Sequence, residues 1–427
     1  MVDKNAGNII EGGKSMELIQ PTMTIAEIIT TYPETREVFI NNGFSIFADD
    51  TVIKQLGVVL KLKTALKSKG INLGSFIVLL EEKIAEKERY KNLETTVLDN
   101  SSEHLNMLSL LPCPLKVPMQ SELKLFLDYL REEKNLPLNY CIESFFNEHL
   151  DYEDYLEHFE GPDEIPDIIM TVGYSFFYKN FMERFVTKGV FADVINRPVN
   201  SHFAEAGMID PDGHFTVIGA NVLVMVVDKN RLGSIPMPQT WGDLLRPEYE
   251  KKVVMRGHGD IFCDVVQLNY YKDFGVVGVE QLGRSVKCGL HPAQMVKELT
   301  SNRKDVPPIH IMPYFFYKTM KESEHITIVW PEEGILAYPV SVLIKADKMQ
   351  ELHELADYLT GSQIARICAD AYFPAVHAEV KVNLPEHVRL KWLGWDFIKN
   401  NDIEYLVNTM NDTFMSVYRA GGKEGCS

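Results

Sequence analysis

"MPQTWGDLLRPEYEKKVVM", residues 237–255, sets a turn-rich, proline-bounded segment before a short apolar run, and that run stops at "RGHGD", residues 256–260. "KKVVM" has the β-branched character of a buried strand. Gly257 and Gly259 permit a tight turn, and "IFCDVV" beyond them reads as the opening of a helix. Ligands of open α/β sheets gather where strands end in such loops, because the free N–H groups and dipole of the next helix face outward. Four readings of the loop remain open at this point: catalytic, metal-binding, anion-cradling, or a plain turn with Asp260 as helix N-cap.

Working outward, the same alternation fills the chain from about residue 105. "LNMLSLLP", "LNYCIE", "IPDIIMTVG", "FTVIGANVLVMVVD", "IHIMP", "ITIVW" and "YPVSVLI" read as strands, "SELKLFLDYLREEKN" as a helix, and helical stretches separate most of the strands. Alternating strand and helix implies mainly parallel sheets covered on both faces. The length of this part, residues 105–427, favours two α/β lobes over one layer.

Residues 21–92 differ and read as a small all-α helical domain. "TIAE" is a capping box, with Thr24 accepting from the backbone and Glu27 reaching back. "YPETREVFINNG" puts Pro33 near a helix start and Gly43 past its end, and Leu73, Phe76, Ile77, Leu80 and Ile84 make one apolar stripe. Residues 93–104 are polar and aperiodic, a linker, and residues 1–20 read as a flexible N-terminal segment.

The 43 basic and 60 acidic residues leave a formal charge of −17, which disfavours nucleic acid and anionic membranes. No signal-peptide pattern or membrane-spanning run is visible, so the expectation as written is a cytoplasmic protein; a removed leader would make it periplasmic or extracellular. The six cysteines show no CxxC spacing, so reduced thiols, no zinc and no redox pair are expected. The chain lacks GxSxG, P-loop, HExxH and GxGxxG patterns, which leaves no motif for a cofactor or a resident metal.

Five stretches at expected strand ends carry the candidate ligand contacts: "PCPLK" (112–116), "TVGYSFF" (171–177), "RGHGD", "MPYFFYK" (312–318) and "PEEG" (331–334). The first four offer helix N-termini. The residues selected are Cys113, Lys116, Thr171, Gly173, Tyr174, Arg256, Gly257, His258, Gly259, Asp260, Tyr314 and Tyr317. Lys116 and Arg256 supply charge, and the tyrosines supply flat walls with polar tips. Glu332 and Glu333 of "PEEG" read as solvated turn residues.

With these residues placed, 105–420 resembles the type II periplasmic solute-binding proteins of the ferric-iron ABC-transporter class. The resemblance rests on "PQTWGDLL" followed by "PEY" and a basic strand, on "VLVMVVDKNRL" as a hinge strand, and on "ITIVWPEEGILAYPVSVLIKA" as return strands. It implies two lobes closing by a hinge on a small solute, with an ABC permease as partner. Iron-binding members carry a tyrosine pair where Tyr314 and Phe315 stand, with Tyr317 one turn on. The missing phenol favours an organic or phosphorylated anion over bare iron, with a ferric complex retained. "MTIAEIITTYPETREVFINNGFSI" resembles the helical domain of unknown function associated with hybrid-cluster proteins, but "GFSIFADD" lacks that family's cysteine pair, so an interaction role with a cytoplasmic partner is expected there. Two other classes stay in play: an enzyme using His258 with Asp260 as orienter, and an adaptor with a vestigial cleft.

Overall fold

The computed structural model describes residues 19–41, 44–69, parts of 71–84, 104–144, 159–194, 198–258 and 260–420. The N-terminal segment before residue 19, most of the 93–104 linker, Gly43 and Gly259, and the side chains of Cys113 and His258, lie outside the described residues. The chain divides into two compact units, 1–92 and 93–427.

In the first unit, α1 (Ile25–Thr31) begins at the capping box: Thr24 Oγ1 accepts from the Glu27 N–H at 3.2 Å, and Glu27 accepts from the Thr24 N–H at 2.7 Å. Helix α2 (Thr35–Asn41) starts after Pro33, and α3 (Leu62–Ser68) follows. Phe39, Phe44, Phe47 and Phe76 form an aromatic core that Ile77, Leu80 and Ile84 extend, so the stripe read from sequence is the buried face.

The second unit is built on strands β1 (Met107–Leu111), β2 (Tyr140–Ser144), β3 (Ile168–Val172), β4 (Thr216–Asp228), β5 (Val253–His258), β6 (Ile261–Phe262), β7 (Val286–Leu290), β8 (Ile309–Pro313), β9 (Ile326–Val329), β10 (Ile335–Ile344) and β11 (Leu390–Lys391). They form one connected sheet in the order β2-β1-β3-β10-β4-β8-β5-β6, with β11 on β10, β7 on β5 and β9 on β4. β2, β1 and β3 are parallel, as are β8, β5 and β7. β10 and β4 run antiparallel to each other and to β3 and β8 on either side, so the sheet is mixed rather than mainly parallel.

These two strands create the two lobes. The start of β4 and the end of β10 complete the first lobe beside β3, while the end of β4 joins β8 and β9 in the second. All 13 residues of β4 and all 10 of β10 are buried. Both faces are covered, which explains their nearly unbroken apolar sequence, and each Val, Leu or Ile so buried contributes about 1.5–3 kcal/mol.

The stretch around Trp241 pins the second lobe. Asp243 Oδ2 accepts from the N–H groups of Gln239 and Thr240 at 2.8 and 3.0 Å, and Thr240 Oγ1 accepts from the Asp243 N–H at 3.1 Å. Burial works against the Asp243 carboxylate, but these donors and Arg246 hold its pKa below the usual range. The Trp241 ring donates to Gly334 O and its backbone N–H to Glu333 Oε1, both at 2.8 Å, and Tyr270 Oη donates to Trp241 O at 2.7 Å. Glu333 is therefore a structural acceptor and not a solvated turn residue. Gly334 turns with φ 106°, and a Cβ there would lie 2.6 Å from Arg389 O.

The other long helices are α4 (Cys113–Glu133), α5 (Asp264–Ser285), the five-residue α6 (Tyr314–Lys318), α7 (Ser362–Asp370) and α8 (Ile403–Ala420). Helix α4 starts eight residues before the sequence reading placed it, with Pro114 in its first turn where no N–H is needed and Pro118 tolerated just inside. Cys288 is disulfide-bonded, which corrects the expectation of uniformly reduced thiols; Cys263 and Cys368 are buried free thiols. Among the described residues no helix is long and apolar enough to cross a membrane.

Candidate functional site

The loop "RGHGD" is a β-hairpin, not a strand-to-helix junction. Gly257 pairs with Phe262 and His258 with Ile261, so β5 and β6 run antiparallel and helix α5 begins only at Asp264, with Cys263 as N-cap residue. Asp260 is therefore not a helix cap. It lies on the exposed turn, its carboxylate 69% exposed and 2.5 Å from Arg419 Nη2, and its carbonyl accepts from Asn411 Nδ2 at 2.9 Å. Gly257 has a packing reason. A Cβ there would meet the Phe262 ring at 2.8 Å, and Gly289 on β7 faces the same ring at the same distance. The glycine makes room for the Phe262 ring.

Arg256 lies within β5 opposite Leu290, partly exposed, and its charge acts on Asp264, Cys263 and Tyr338. Helix α5 delivers Cys263, Asp264 and Asn269; the first lobe delivers Tyr174; the two central strands deliver Asn221 and Tyr338, which face each other in register. Asn221 Nδ2 donates to Tyr338 Oη at 2.6 Å, which leaves the phenolic hydrogen of Tyr338 available to donate. The Tyr174 and Tyr338 rings lie 6.4 Å apart.

The electrostatics keep this group protonated. Burial holds the Tyr174 and Tyr338 phenols well above their normal range, with Asp264 adding to both and Arg256 opposing at Tyr338. Burial likewise pushes the Cys263 thiol up to about 11. Burial raises the Asp264 pKa while Arg256 pulls it down. Asp264 keeps partial solvent access. The Asn269 side chain lies beside Tyr174 Oη, and its hydrogen bond to the phenol works against the rise that burial causes. The result is a cluster that sets one guanidinium and two buried phenols near the first turn of α5.

The remaining selected residues fall elsewhere. Gly173 bends the chain at φ 118° and lets β3 pass directly into Tyr174 and the short 3-10 turn Ser175–Phe177. Thr171 is buried within β3 opposite Ser341, inside the lobe. Cys113 opens α4, and Lys116 is buried in its first turn. Tyr314 and Tyr317 form a second, aromatic group: Tyr314 lies 6.4 Å from Tyr317, 5.8 Å from Trp330 and 5.7 Å from Tyr372, with Lys318 over the Tyr314 and Tyr372 rings at 5.9 and 5.3 Å. Tyr372 comes from the first lobe beside α7 and holds a left-handed backbone at φ 60°. Among the described residues no group of three or more His, Cys, Asp or Glu converges on a point that would hold a metal ion.

Sequence reasoning missed Asn221, Tyr338, Asp264 and Asn269. The first two left a signal, since each is a polar residue in the middle of a buried and mainly apolar strand.

Comparison with known proteins gives a consistent result. The family described as bacterial extracellular solute-binding protein matches residues 163–401, and the domain of unknown function DUF1858 matches residues 19–77. No curated protein matches the chain. Among solved structures, an IdiA/FutA protein of Trichodesmium in complex with iron and citrate is similar with a TM-score of 0.50 at 13% identity, covering 74% of this chain and 99% of that one. Ferric iron-binding protein A of Mannheimia haemolytica, in an open conformation, has a TM-score of 0.49 at 18% identity, covering 73% and 98%. The Trichodesmium likeness shows the fold, that of two-lobed periplasmic binding proteins, in which a hinge strand such as β4 links the lobes. With its family matched over more than half its length and the mixed sheet crossed by two shared strands, the chain belongs to the bacterial extracellular solute-binding proteins.

Proposed function

We propose that the protein binds a small anionic solute between its lobes without transforming it, for delivery to an ABC-type permease or for sensing. The observation that carries the reading is the cluster of groups around Arg256. A guanidinium, two protonated phenols and the first turn of a long helix converge there from both lobes and from the strands that join them. Such a set recognises carboxylate or phosphate oxygens. Family membership supports binding over catalysis, and the absence of a motif for a nucleophile in the sequence agrees with it. The disulfide at Cys288 supports work in an oxidising compartment, outside the cytoplasm.

A second reading, a chelated ferric ion, has its own support: three phenols, Tyr314, Tyr317 and Tyr372, lie together, and the Trichodesmium protein of this fold was solved with iron and citrate. Thermal-shift and calorimetric titration of the full chain with sugar phosphates, phosphonates, dicarboxylates and ferric citrate separates the two. The anion reading expects stabilisation by a metal-free anion, weakened about 10- to 100-fold in Arg256→Gln. Binding only in the presence of iron, lost in Tyr314→Phe and kept in Arg256→Gln, would transfer the site to the phenols. No shift with any compound on folded protein would defeat both.

A further inference from the structure

The helical unit carries a surface that solute binding does not use. Residues 54–69 read "KQLGVVLKLKTALKSK", five lysines without one acid. All five are exposed, and among the described residues Lys54, Lys61, Lys63 and Lys67 make no ion pair. Leu56, Val58 and Val59 stand between Lys54 and Lys61 and are exposed by 40%, 51% and 71%. Only two residues separate each of these lysines from the apolar group, which keeps charge and apolar surface side by side. The backbone holds the loop in place. Ile53–Gly57 forms a π-helical turn, the Val59 and Leu60 N–H groups donate to Leu56 O at 3.2 and 3.0 Å, and Leu60 O accepts from the Ile25 N–H at 2.9 Å. The Leu62 N–H donates to Met23 O at 2.8 Å, so the start of α1 fixes the loop, and a Cβ on buried Gly57 would lie 3.4 Å from Ala26. The Glu27 carboxylate, which acts on Lys61, is already engaged by the Thr24 N–H of the capping box. Aliphatic side chains fixed in water gain nothing within the unit, and burial against a partner is what would stabilise them.

We propose that this surface docks an acidic, amphipathic segment of another protein, with apolar side chains on Leu56, Val58 and Val59 and carboxylates against Lys54, Lys61 and Lys63. Charge complementarity selects the occupant. A second copy of the same surface would set lysines against lysines. Single-stranded nucleic acid stacks on aromatic rings, and this loop offers branched aliphatic side chains instead. An extended polyanion, membrane or nucleic acid, also meets the formal charge of −17 of the whole chain. A short acidic segment feels only charges within about 8 Å at physiological salt, and those are the lysines. Because the loop is already fixed, docking orders little on this side of the contact. The proposal stands apart from the solute site.

Fluorescence anisotropy on the full chain tests it with two labelled peptides of about 18 residues, both made of Leu, Ala and Glu. One has its leucines on a single helical face; the other has the same composition with the leucines scattered. The first should bind about tenfold or more tightly than the second, and more weakly as salt rises. Val59→Asp should weaken it about tenfold or more, and so should Lys61→Glu combined with Lys63→Glu; all three positions are exposed, and far-UV circular dichroism checks that each variant stays folded. Equal binding of the two peptides, or binding that neither variant changes, overturns the proposal. So does no binding by either peptide. Phosphatidylserine vesicles bound through the same residues in place of the peptide would give the surface to a membrane, and a dimer in sedimentation that Val59→Asp dissociates would give it to a second copy; either result overturns the proposal.

Discussion

Lowering the pH should unfold the two-lobed unit through His310. This histidine lies on β8 with no exposed surface; Nε2 is 3.1 Å from Pro307 O, and Nδ1 has no partner. Burial pushes its pKa from the ordinary 6.5 down to about 3, with Arg231 adding in the same direction and the Pro307 carbonyl opposing. The unfolded chain therefore takes up a proton below pH 6.5 that the folded chain refuses, and stability falls as the pH falls. The loss from this one group is about 1.4 kcal/mol at pH 5.5 and about 2.7 kcal/mol at pH 4.5. Two other groups bracket the window. The Asp167 carboxylate, whose pKa Asn106, His104 and Lys345 lower against the opposing effect of burial, begins to cost stability only below about pH 4. Asp264, raised by burial, binds its proton first in the folded state and works in the opposite direction. Comparing the wild type with His310→Gln removes both from the difference. Urea unfolding followed by tryptophan fluorescence suits the test, because Trp241, Trp330, Trp392 and Trp395 all lie in the 93–427 unit and the helical domain is silent. The variant should lose about one proton's worth of slope, about 1.4 kcal/mol per pH unit between pH 6 and 4.5. Parallel stability curves for the two proteins would refute the neutral buried histidine.

Three further outcomes are expected. Gly334→Ala combines a left-handed backbone with a Cβ 2.6 Å from Arg389 O, and should lower the unfolding free energy by about 2–4 kcal/mol while loosening the Trp241 ring, read as a red shift in emission. Lys345→Met leaves Asp167 buried with only His104 and Asn106, and should cost about 3–5 kcal/mol in the same urea assay, whereas Asp167→Asn with Lys345→Met should recover much of the loss. Thr24→Ala removes the acceptor of the capping box, and should weaken the first helix by about 1 kcal/mol, seen as faster amide exchange at residues 25–28 with no change in the tryptophan transition.

The sequence carried the frame of the molecule further than it carried the site. Apolar runs located the strands, since a strand buried on both faces must be apolar along its whole length. The stretch around Trp241 identified the second lobe because each of its residues has a fixed partner: Asp243 for its own turn, Trp241 for the β9–β10 connection, Tyr249 for Pro236 O. The capping box at Thr24 was readable for a similar reason, as both halves of that interaction lie within four residues.

"RGHGD" shows where reading stops. Gly257 lies inside β5, and a two-residue β6 has too short a period to recognise, so the sequence places the helix start at Ile261 and not at Asp264. The ring of Phe262 lies over Gly257 only because β7 brings Gly289 to the same place. The cluster itself joins Tyr174, Asn221, Arg256, Asn269 and Tyr338 from five separated stretches, and local sequence determines a residue's strand or helix but not which distant side chains face it. What the sequence alone determined was therefore the order of elements and the two-unit composition. Register across β4 and β10, and the closing of one lobe on the other, decided which polar groups meet, because hydrogen-bond partners and burial are properties of the packed chain.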